Sequence, residues 1–333
     1  MPSRRRSRAA GAPLDLALQG GGSHGAFTWG VLDRLLQDEG LAIDGVSGTS
    51  AGALNAAVMA TGWAEGGRGG ARQALAAFWH DVSAAPSCFG TAAPGWAALM
   101  APWLRLWSPY RFNPLQLNPL RDIVRRHVRE EALRRGPLAL FVTATAVRSG
   151  QPRVFRRDDL SHDALLASAC LPQLFHAVEI DGQPYWDGGY SGNPALWPLI
   201  YETGAIDLLL VKINPLVRHD LPDTAEAIAD RVNEITFNAG LVAEMRAIAF
   251  VQRLVAEGRL DGGAYKSLRL HMIADERHLA ALPQASKLDT RRGFLLQLHG
   301  LGVKAADAWL AAHRADVGRR STLDPAATFL APR

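Results

Sequence analysis

Leu14-Asp-Leu-Ala-Leu-Gln-Gly-Gly-Gly-Ser-His-Gly25 joins an apolar run to a loop of glycines and the start of a helix. The same order returns where Ile43-Asp-Gly-Val-Ser47 leads into the small side chains of residues 51–60. A strand, a loop and a helix repeated along a chain are typical of α/β domains with a mainly parallel sheet. We therefore predict an α/β fold that begins with these two strands.

Four later segments have the composition of further strands. The apolar run at residues 206–213 is nearly continuous, as expected for a strand covered on both faces. The predicted strands lie at residues 138–147, 178–185, 206–213 and 268–273.

Two other segments show a different pattern. Residues 62–70 are rich in glycine and predict a loop. After Pro222, the spacing of Ile228, Val232 and Ile235 indicates a helix. We predict that the carboxyl-terminal part of the chain is mostly helical.

The composition argues against several classes of protein. Of 333 residues, 48% are hydrophobic and 20% are charged, which is typical of a globular chain. The net charge is +4, but the basic residues are scattered and no groove-reading motif is present, so we expect no nucleic-acid partner. Cys88 and Cys170 do not make a disulfide framework, which fits a reducing cytoplasm at least as well as secretion.

The sequence contains no predicted membrane span. No run of about 18 residues is free of charge, so we expect a cytoplasmic protein that contacts a membrane at most peripherally. Residues 1–12 carry arginines with no apolar region behind them, which predicts a disordered basic tail and not a signal peptide. Weak attraction of these arginines to anionic lipid is the functional alternative.

The glycine loop at residues 20–25 allows two interpretations. It matches the G-x-G-x-x-G fingerprint of dinucleotide-binding domains, and Asp44 could supply the acidic residue expected about 20 positions later. Glycines before a helix can equally hold a transient oxyanion, because the helix start offers free backbone N–H groups. The loop alone does not decide between them.

A second motif favours the interpretation that the glycine loop holds an oxyanion. Gly48-Thr-Ser-Ala-Gly52 matches G-x-S-x-G, in which a serine lies on a strained strand-to-helix turn with its hydroxyl exposed above the sheet. The flanking glycines are needed because the chain nearly touches itself there. The dinucleotide interpretation does not explain this turn, whereas acyl transfer requires it. Ser50 is therefore the candidate nucleophile.

The candidate base is an aspartate and not a histidine. Asp187 lies in Tyr185-Trp-Asp-Gly-Gly-Tyr-Ser-Gly-Asn-Pro194, where a predicted strand ends at a Gly-Gly turn. The alternative is a turn aspartate that binds its own backbone. None of the ten histidines lies in a convincing turn of this kind, with a strand before it and glycine support.

The ordered set of Gly20–Gly25, Gly48–Gly52 and Asp187–Gly189 resembles the patatin-like phospholipases over residues 14–215. The resemblance implies a three-layer α/β/α fold and lipid acyl hydrolysis by a Ser-Asp dyad, without metal or cofactor. It implies Ser50 as nucleophile and Asp187 as base. The implied oxyanion hole is Gly20, Gly21 and Gly22, and the supporting glycines are Gly25, Gly48, Gly52, Gly188 and Gly189.

The sequence departs from the family at one position. The family's glycine loop usually carries Arg or Lys where this chain has His24. A histidine at a helix N-terminus tends to be neutral, because the helix dipole disfavours its cation.

The resemblance also divides the chain. We predict a catalytic domain over residues 13–215 and a mostly helical extension over 216–333 that packs on it. Residues 95–120 are a candidate lid or acyl-chain wall, with an ordinary core helix as the alternative. The apolar stripe within them consists of Trp96, Leu99, Met100, Trp103, Leu106 and Trp107.

The expected partner is a lipid or another ester substrate, with peripheral membrane contact. A short-chain esterase or a thioesterase would use the same groups. An inactive lipid-binding module and a nicotinamide-binding protein are alternatives from other classes.

Overall fold

The computed structural model describes residues 11–85, 108–218, 220–261 and 265–331. Eight strands in these ranges form one sheet. They are β1 (Pro13–Leu18), β2 (Ala42–Thr49), β3 (Ala139–Ala146), β4 (Pro152–Arg156), β5 (Val178–Ile180), β6 (Gln183–Asp187), β7 (Asp207–Lys212) and β8 (Arg269–Ala274). Their order is β5-β6-β3-β2-β1-β7-β8, with β4 also paired to β3.

Helices of the described ranges flank the sheet. They are α1 (Gly25–Leu35), α2 (Ala51–Ala84), α3 (Pro109–Phe112), α4 (Pro119–His127), α5 (Glu130–Arg135), α6 (His162–Ser168), α7 (Trp197–Glu202), α8 (Ala225–Ala256), α9 (Glu276–Ala280) and α10 (Arg292–His313). Turns of 3-10 helix lie at Gly22–His24, Arg157–Asp159, Gly188–Tyr190, Gln284–Leu288 and Arg314–Asp316, and a π-helical turn lies at Ala326–Leu330.

The central strands β3, β2, β1, β7 and β8 run parallel, whereas β4, β5 and β6 are antiparallel. The carboxyl ends of β1 and β2 therefore lie at one edge of the sheet. Open α/β sheets place their functional loops at this edge. The glycine loop follows β1 there, and Ser50 follows β2.

Apolar side chains of β7 alternate between two cores. Leu209 and Val211 pack in the core that includes α1, α2 and α10, while Leu208 and Leu210 pack in the core that includes α7 and α8. Helices thus cover both faces of the sheet. This confirms the predicted three-layer α/β/α fold with a mainly parallel sheet.

The glycine-rich segment 62–70 is helical, and the loop predicted there is wrong. Helix α2 runs through it with a break at Gly66 and Gly67, whose φ angles are −149° and 60°. A methyl group on Gly62 would collide with the carbonyl of Gly70. Gly62 and Gly70 therefore allow the two halves of α2 to pack closely.

The strand predicted at residues 178–185 is instead a hairpin of β5 and β6. Asp181 and Gly182 connect the two strands with φ angles of 52° and 72°. Asp-Gly is a favoured pair for two-residue hairpins that need positive φ at both positions. The hairpin reverses the chain so that β6 ends at Asp187.

Strand β3 brings the two candidate catalytic residues together. Thr49, the residue before Ser50, pairs with Thr143 of β3. Asp187 pairs with Ala144, which is the next residue of β3. The register of the sheet thus places Asp187 beside the turn that carries Ser50.

Some expectations fall outside the described residues. These include residues 1–10 of the basic tail and the apolar stripe from Trp96 to Trp107. The limits of the catalytic domain and the extension stay predictions. Within the described ranges, no helix combines the length and hydropathy needed to cross a bilayer.

Candidate active site

Ser50 occupies the sharp turn between β2 and α2. Its φ of 54° and ψ of −123° are uncommon for a residue with a side chain. The Ser50 N–H donates to Oγ of Ser168 (2.8 Å), whose hydroxyl donates to the Thr143 carbonyl (2.6 Å). Strained backbone held by neighbouring bonds is typical of a nucleophile turn.

Close packing explains the glycines around Ser50. A methyl group on Gly48 would lie 2.7 Å from the backbone of the first turn of α2. A methyl group on Gly52 would collide with the carbonyl of Leu18 in β1, and one on Gly25 would lie 2.6 Å from the side chain that follows Ser50. The elements that meet at this turn approach too closely for side chains.

We expect Gly52→Ala to lower the free energy of unfolding by about 1–3 kcal/mol, because the methyl group overpacks the contact with β1. Gly66→Ala is the matched control, since a methyl group there meets no atom within 4 Å. Urea unfolding measures both. A Gly52→Ala variant as stable as the control would contradict the crowded turn.

Asp187 ends β6 and is fully buried. Its N–H donates to the carbonyl of Cys170 (2.7 Å), and its carbonyl accepts from Oγ1 of Thr145 (2.8 Å). Oδ1 accepts from the N–H of Gly189 (2.7 Å), so the turn bond considered as the alternative is present. That bond uses one carboxyl oxygen and leaves Oδ2 for another role.

The glycines after Asp187 also meet their neighbours closely. A methyl group on Gly188 would collide with the Thr143 carbonyl, and one on Gly189 would collide with the ring of Phe237 in α8. The turn is therefore pressed between β3 and α8. This packing fixes the direction of the Asp187 side chain.

Burial raises the pKa of the Asp187 carboxyl to about 7, since charge is poorly solvated there. The Ser50 hydroxyl, the Gly189 N–H and the charge of Lys287 act in the opposite direction. A group that titrates near neutrality is well matched to proton transfer at physiological pH.

Ser50 and Asp187 interact without a standard hydrogen bond. The Ser50 hydroxyl is close enough to lower the pKa of Asp187. Yet Oδ2 of Asp187 is buried and has no hydrogen-bond partner within the described part of the chain. We interpret the pair as adjacent but longer or less well aligned than a bonded pair. Catalytic bonds in ligand-free enzymes often tighten only when substrate binds.

The glycine loop lies directly against the serine. A methyl group on Gly20 would lie 2.6 Å from Cβ of Ser50. The Gly20 N–H already donates to Oδ1 of Asn193 (2.6 Å), so it is not free to bind an oxyanion as the resemblance implies. The N–H groups of Gly21 and Gly22 have no such partner among the described residues, and they remain the candidate donors.

Buried amide side chains that sequence reasoning missed hold this loop. Nδ2 of Asn214 donates to the Gly20 carbonyl (2.7 Å), as does Nδ2 of Asn193 (3.3 Å). Oε1 of Gln19 accepts from the N–H of Ile213 and of Asn214 (both 2.9 Å). The available signal is that Gln19 and Asn214 are polar residues that closely follow apolar strands.

His24 is buried beside Ser286 of the 3-10 turn Gln284–Leu288. Its Nε2 lies 2.7 Å from Oγ of Ser286, whose hydroxyl donates to the Pro283 carbonyl (2.6 Å), so Nε2 carries the proton. Burial, Lys287 and Arg218 lower the pKa of His24 to about 3. The histidine is neutral as predicted, but the cause is burial and nearby cations.

The family model for patatin-like phospholipases matches residues 16–200, which is more than half of the chain. The chain belongs to the patatin-like phospholipase family. No curated protein matches it. Among solved structures it is similar to VipD from Legionella pneumophila, with 14% sequence identity and a TM-score of 0.35. That match covers 88% of this chain and 66% of the VipD chain. The chain thus spans just under two thirds of the VipD chain that it matches.

The dinucleotide alternative fits the geometry poorly. Asp44 lies near the amino end of β2, where its Oδ2 accepts from the N–H of Gly204 (3.1 Å). The glycine loop is at the opposite edge of the sheet, where dinucleotides bind.

Proposed function

We propose that the protein hydrolyses carboxylic esters of lipids, with Ser50 as nucleophile and Asp187 as general base. The observation that carries this proposal is the unpartnered, buried Oδ2 of Asp187 next to a serine on a strained turn. A serine hydroxyl needs a nearby proton acceptor to become a nucleophile. No described histidine hydrogen-bonds to either residue.

The proposed reaction has two steps. Oγ of Ser50 attacks the ester carbonyl while its proton moves to Oδ2 of Asp187, and the carbonyl electron pair becomes an oxyanion. The N–H groups of Gly21 and Gly22 stabilise that oxyanion, each by about 3 kcal/mol. Asp187 returns the proton to the departing alcohol, and then activates the water that releases the acid from Ser50.

We expect kcat/KM to fall about tenfold per pH unit below about pH 7. The physical reason is the raised pKa of Asp187: the base works only when ionised, and protonation at lower pH removes it. The pH profile of nitrophenyl butyrate hydrolysis measures this. An acid limb near the ordinary carboxyl pKa of about 4 would contradict a buried base.

The substrate class can be tested with vesicles that contain phospholipid, triacylglycerol and acyl thioester, with Ser50→Ala as the blank. Release of fatty acid from the lipid esters supports the proposal. Cleavage of nitrophenyl butyrate or thioester alone would favour a short-chain esterase or a thioesterase. Vesicle binding without any cleavage would favour a lipid-binding module.

A further inference from the structure

We propose that Lys287 is a positioning residue for ester hydrolysis, acting through Asn214 on the glycine loop. The inference rests on the proposed acyl transfer at Ser50. Lys287 lies in the 3-10 turn Gln284–Leu288, outside the residues that match the family model. The carboxyl-terminal extension thus supplies a cation to the glycine loop. The loop itself carries the neutral His24 at the position where the family usually has Arg or Lys.

A chain of hydrogen bonds connects Lys287 to the candidate oxyanion donor. Its Nζ donates to Oδ1 of Asn214 (2.8 Å), and Nδ2 of Asn214 donates to the Gly20 carbonyl (2.7 Å). The peptide between Gly20 and Gly21 is trans, so its C=O and N–H point in opposite directions. The bond from Asn214 to the Gly20 carbonyl therefore fixes the direction of the Gly21 N–H.

The same bonds strengthen that N–H as a donor. Hydrogen bonds in a chain polarise one another, and a charged donor at one end increases the effect. The backbone of Lys287 also covers the loop directly, since a methyl group on Gly22 would collide with the Lys287 carbonyl. Lys287 is thus tied to the loop through its side chain and its backbone.

The ammonium of Lys287 is directed inward and forms no ion pair within the described ranges. It lies 5.9 Å from the ring centre of Phe237, which packs on the turn after Asp187. Glu234 is close but binds Arg218 and Arg231. The titratable and charged groups that face the ammonium are Glu234 and Asp230 of α8, Arg218 after β7, Asp187 at the end of β6 and His24 of the glycine loop.

This arrangement suits the movement of charge in the reaction. Attack by Ser50 transfers one negative charge from the Asp187 carboxylate to the ester oxygen at the glycine loop. The total charge stays constant, so a nearby cation can balance it throughout. Because Lys287 covers the loop, we expect its charge to favour the oxyanion over the starting carboxylate.

We expect Lys287→Met to lower kcat for nitrophenyl butyrate by about 10- to 100-fold with little change in KM, which is less than the loss of an oxyanion donor itself. Lys287→Arg keeps the charge and should retain kcat within about fivefold. Lys304→Met removes an exposed lysine of α10 and is the matched control.

The pH profile separates positioning from a purely structural role. Burial lowers the pKa of Lys287 to about 8, so wild-type kcat should fall as pH rises through that value. Lys287→Met should lack this basic limb, and Lys287→Arg should shift it beyond about pH 10 because guanidinium stays charged. Lys287→Met should also move the acid limb upwards, because the charge of Lys287 lowers the pKa of Asp187.

Wild-type kcat and a wild-type basic limb in Lys287→Met, with Ser50→Ala inactive, would overturn this inference and leave the proposed function intact. Some loss of Tm is expected in Lys287→Met, because Oδ1 of Asn214 is left without its donor. If kcat falls only in step with Tm, and the remaining activity keeps the wild-type basic limb, the role is purely structural and the inference is overturned. Full activity in Ser50→Ala would overturn both proposals.

Discussion

Ser50→Ala should lower kcat for ester hydrolysis by about 10⁵-fold or more, because removal of the nucleophile leaves only binding and the oxyanion donors. Alanine removes one oxygen and keeps the backbone bond from residue 50 to Oγ of Ser168. The fold should therefore persist. Release of nitrophenol and of fatty acid from vesicles, with Tm measured alongside, checks the expectation.

Ser149→Ala is the matched control for Ser50→Ala. Ser149 is exposed after β3, and its Oγ only accepts from a backbone N–H two residues later. We expect wild-type activity from this variant. If Ser50→Ala kept more than a few per cent of the rate with its Tm unchanged, another group would be the nucleophile.

Asp187→Asn should lower kcat by about 10³- to 10⁴-fold, because an amide cannot take the proton from Ser50. Asparagine has nearly the same shape, and its oxygen can still accept from the Gly189 N–H. Because the pKa of Asp187 is about 7 in the folded chain and about 4 in the unfolded chain, its ionisation opposes folding; this penalty grows as pH rises from about 4 to about 7 and is complete above about pH 7. At pH 8 the variant should therefore have a Tm no lower than the wild type.

Two measurements complete the test of Asp187. The residual activity of Asp187→Asn should lack the acid limb near pH 7, because the group that causes it is gone. Substitution of single histidines is the matched comparison, with His176→Asn as a partly buried example. Loss of activity in a histidine variant, together with an active Asp187→Asn, would contradict the dyad.

Much of this site could be predicted from local sequence patterns. The strands before Gly20 and Ser50 could be predicted because apolar runs end at glycine turns with a defined physical purpose. Asp187 could be proposed because it follows a strand and precedes Gly188 and Gly189. The structure adds the reason why the pair meets, which is the register of both segments on β3.

Long-range contacts account for what sequence reasoning missed. The bond from Gly20 to Asn193 spans 173 positions, and that from Lys287 to Asn214 spans 73. No local pattern signals such pairs, so the occupied N–H of Gly20 and the role of Asn214 could not be foreseen. The helix through residues 62–70 was missed because Gly62 and Gly70 serve packing between its two halves, and the break in the helix is confined to Gly66 and Gly67.

Fluorophosphonate labelling tests the central claim most directly, since the probe reacts covalently with an activated serine. We expect mass spectrometry to locate the label on Ser50, with a labelling rate that rises with pH through an apparent pKa of about 7. Asp187→Asn should be labelled at a rate lower by about 10²-fold or more. Label on a different residue, or wild-type labelling of Asp187→Asn, would contradict the Ser50–Asp187 pair.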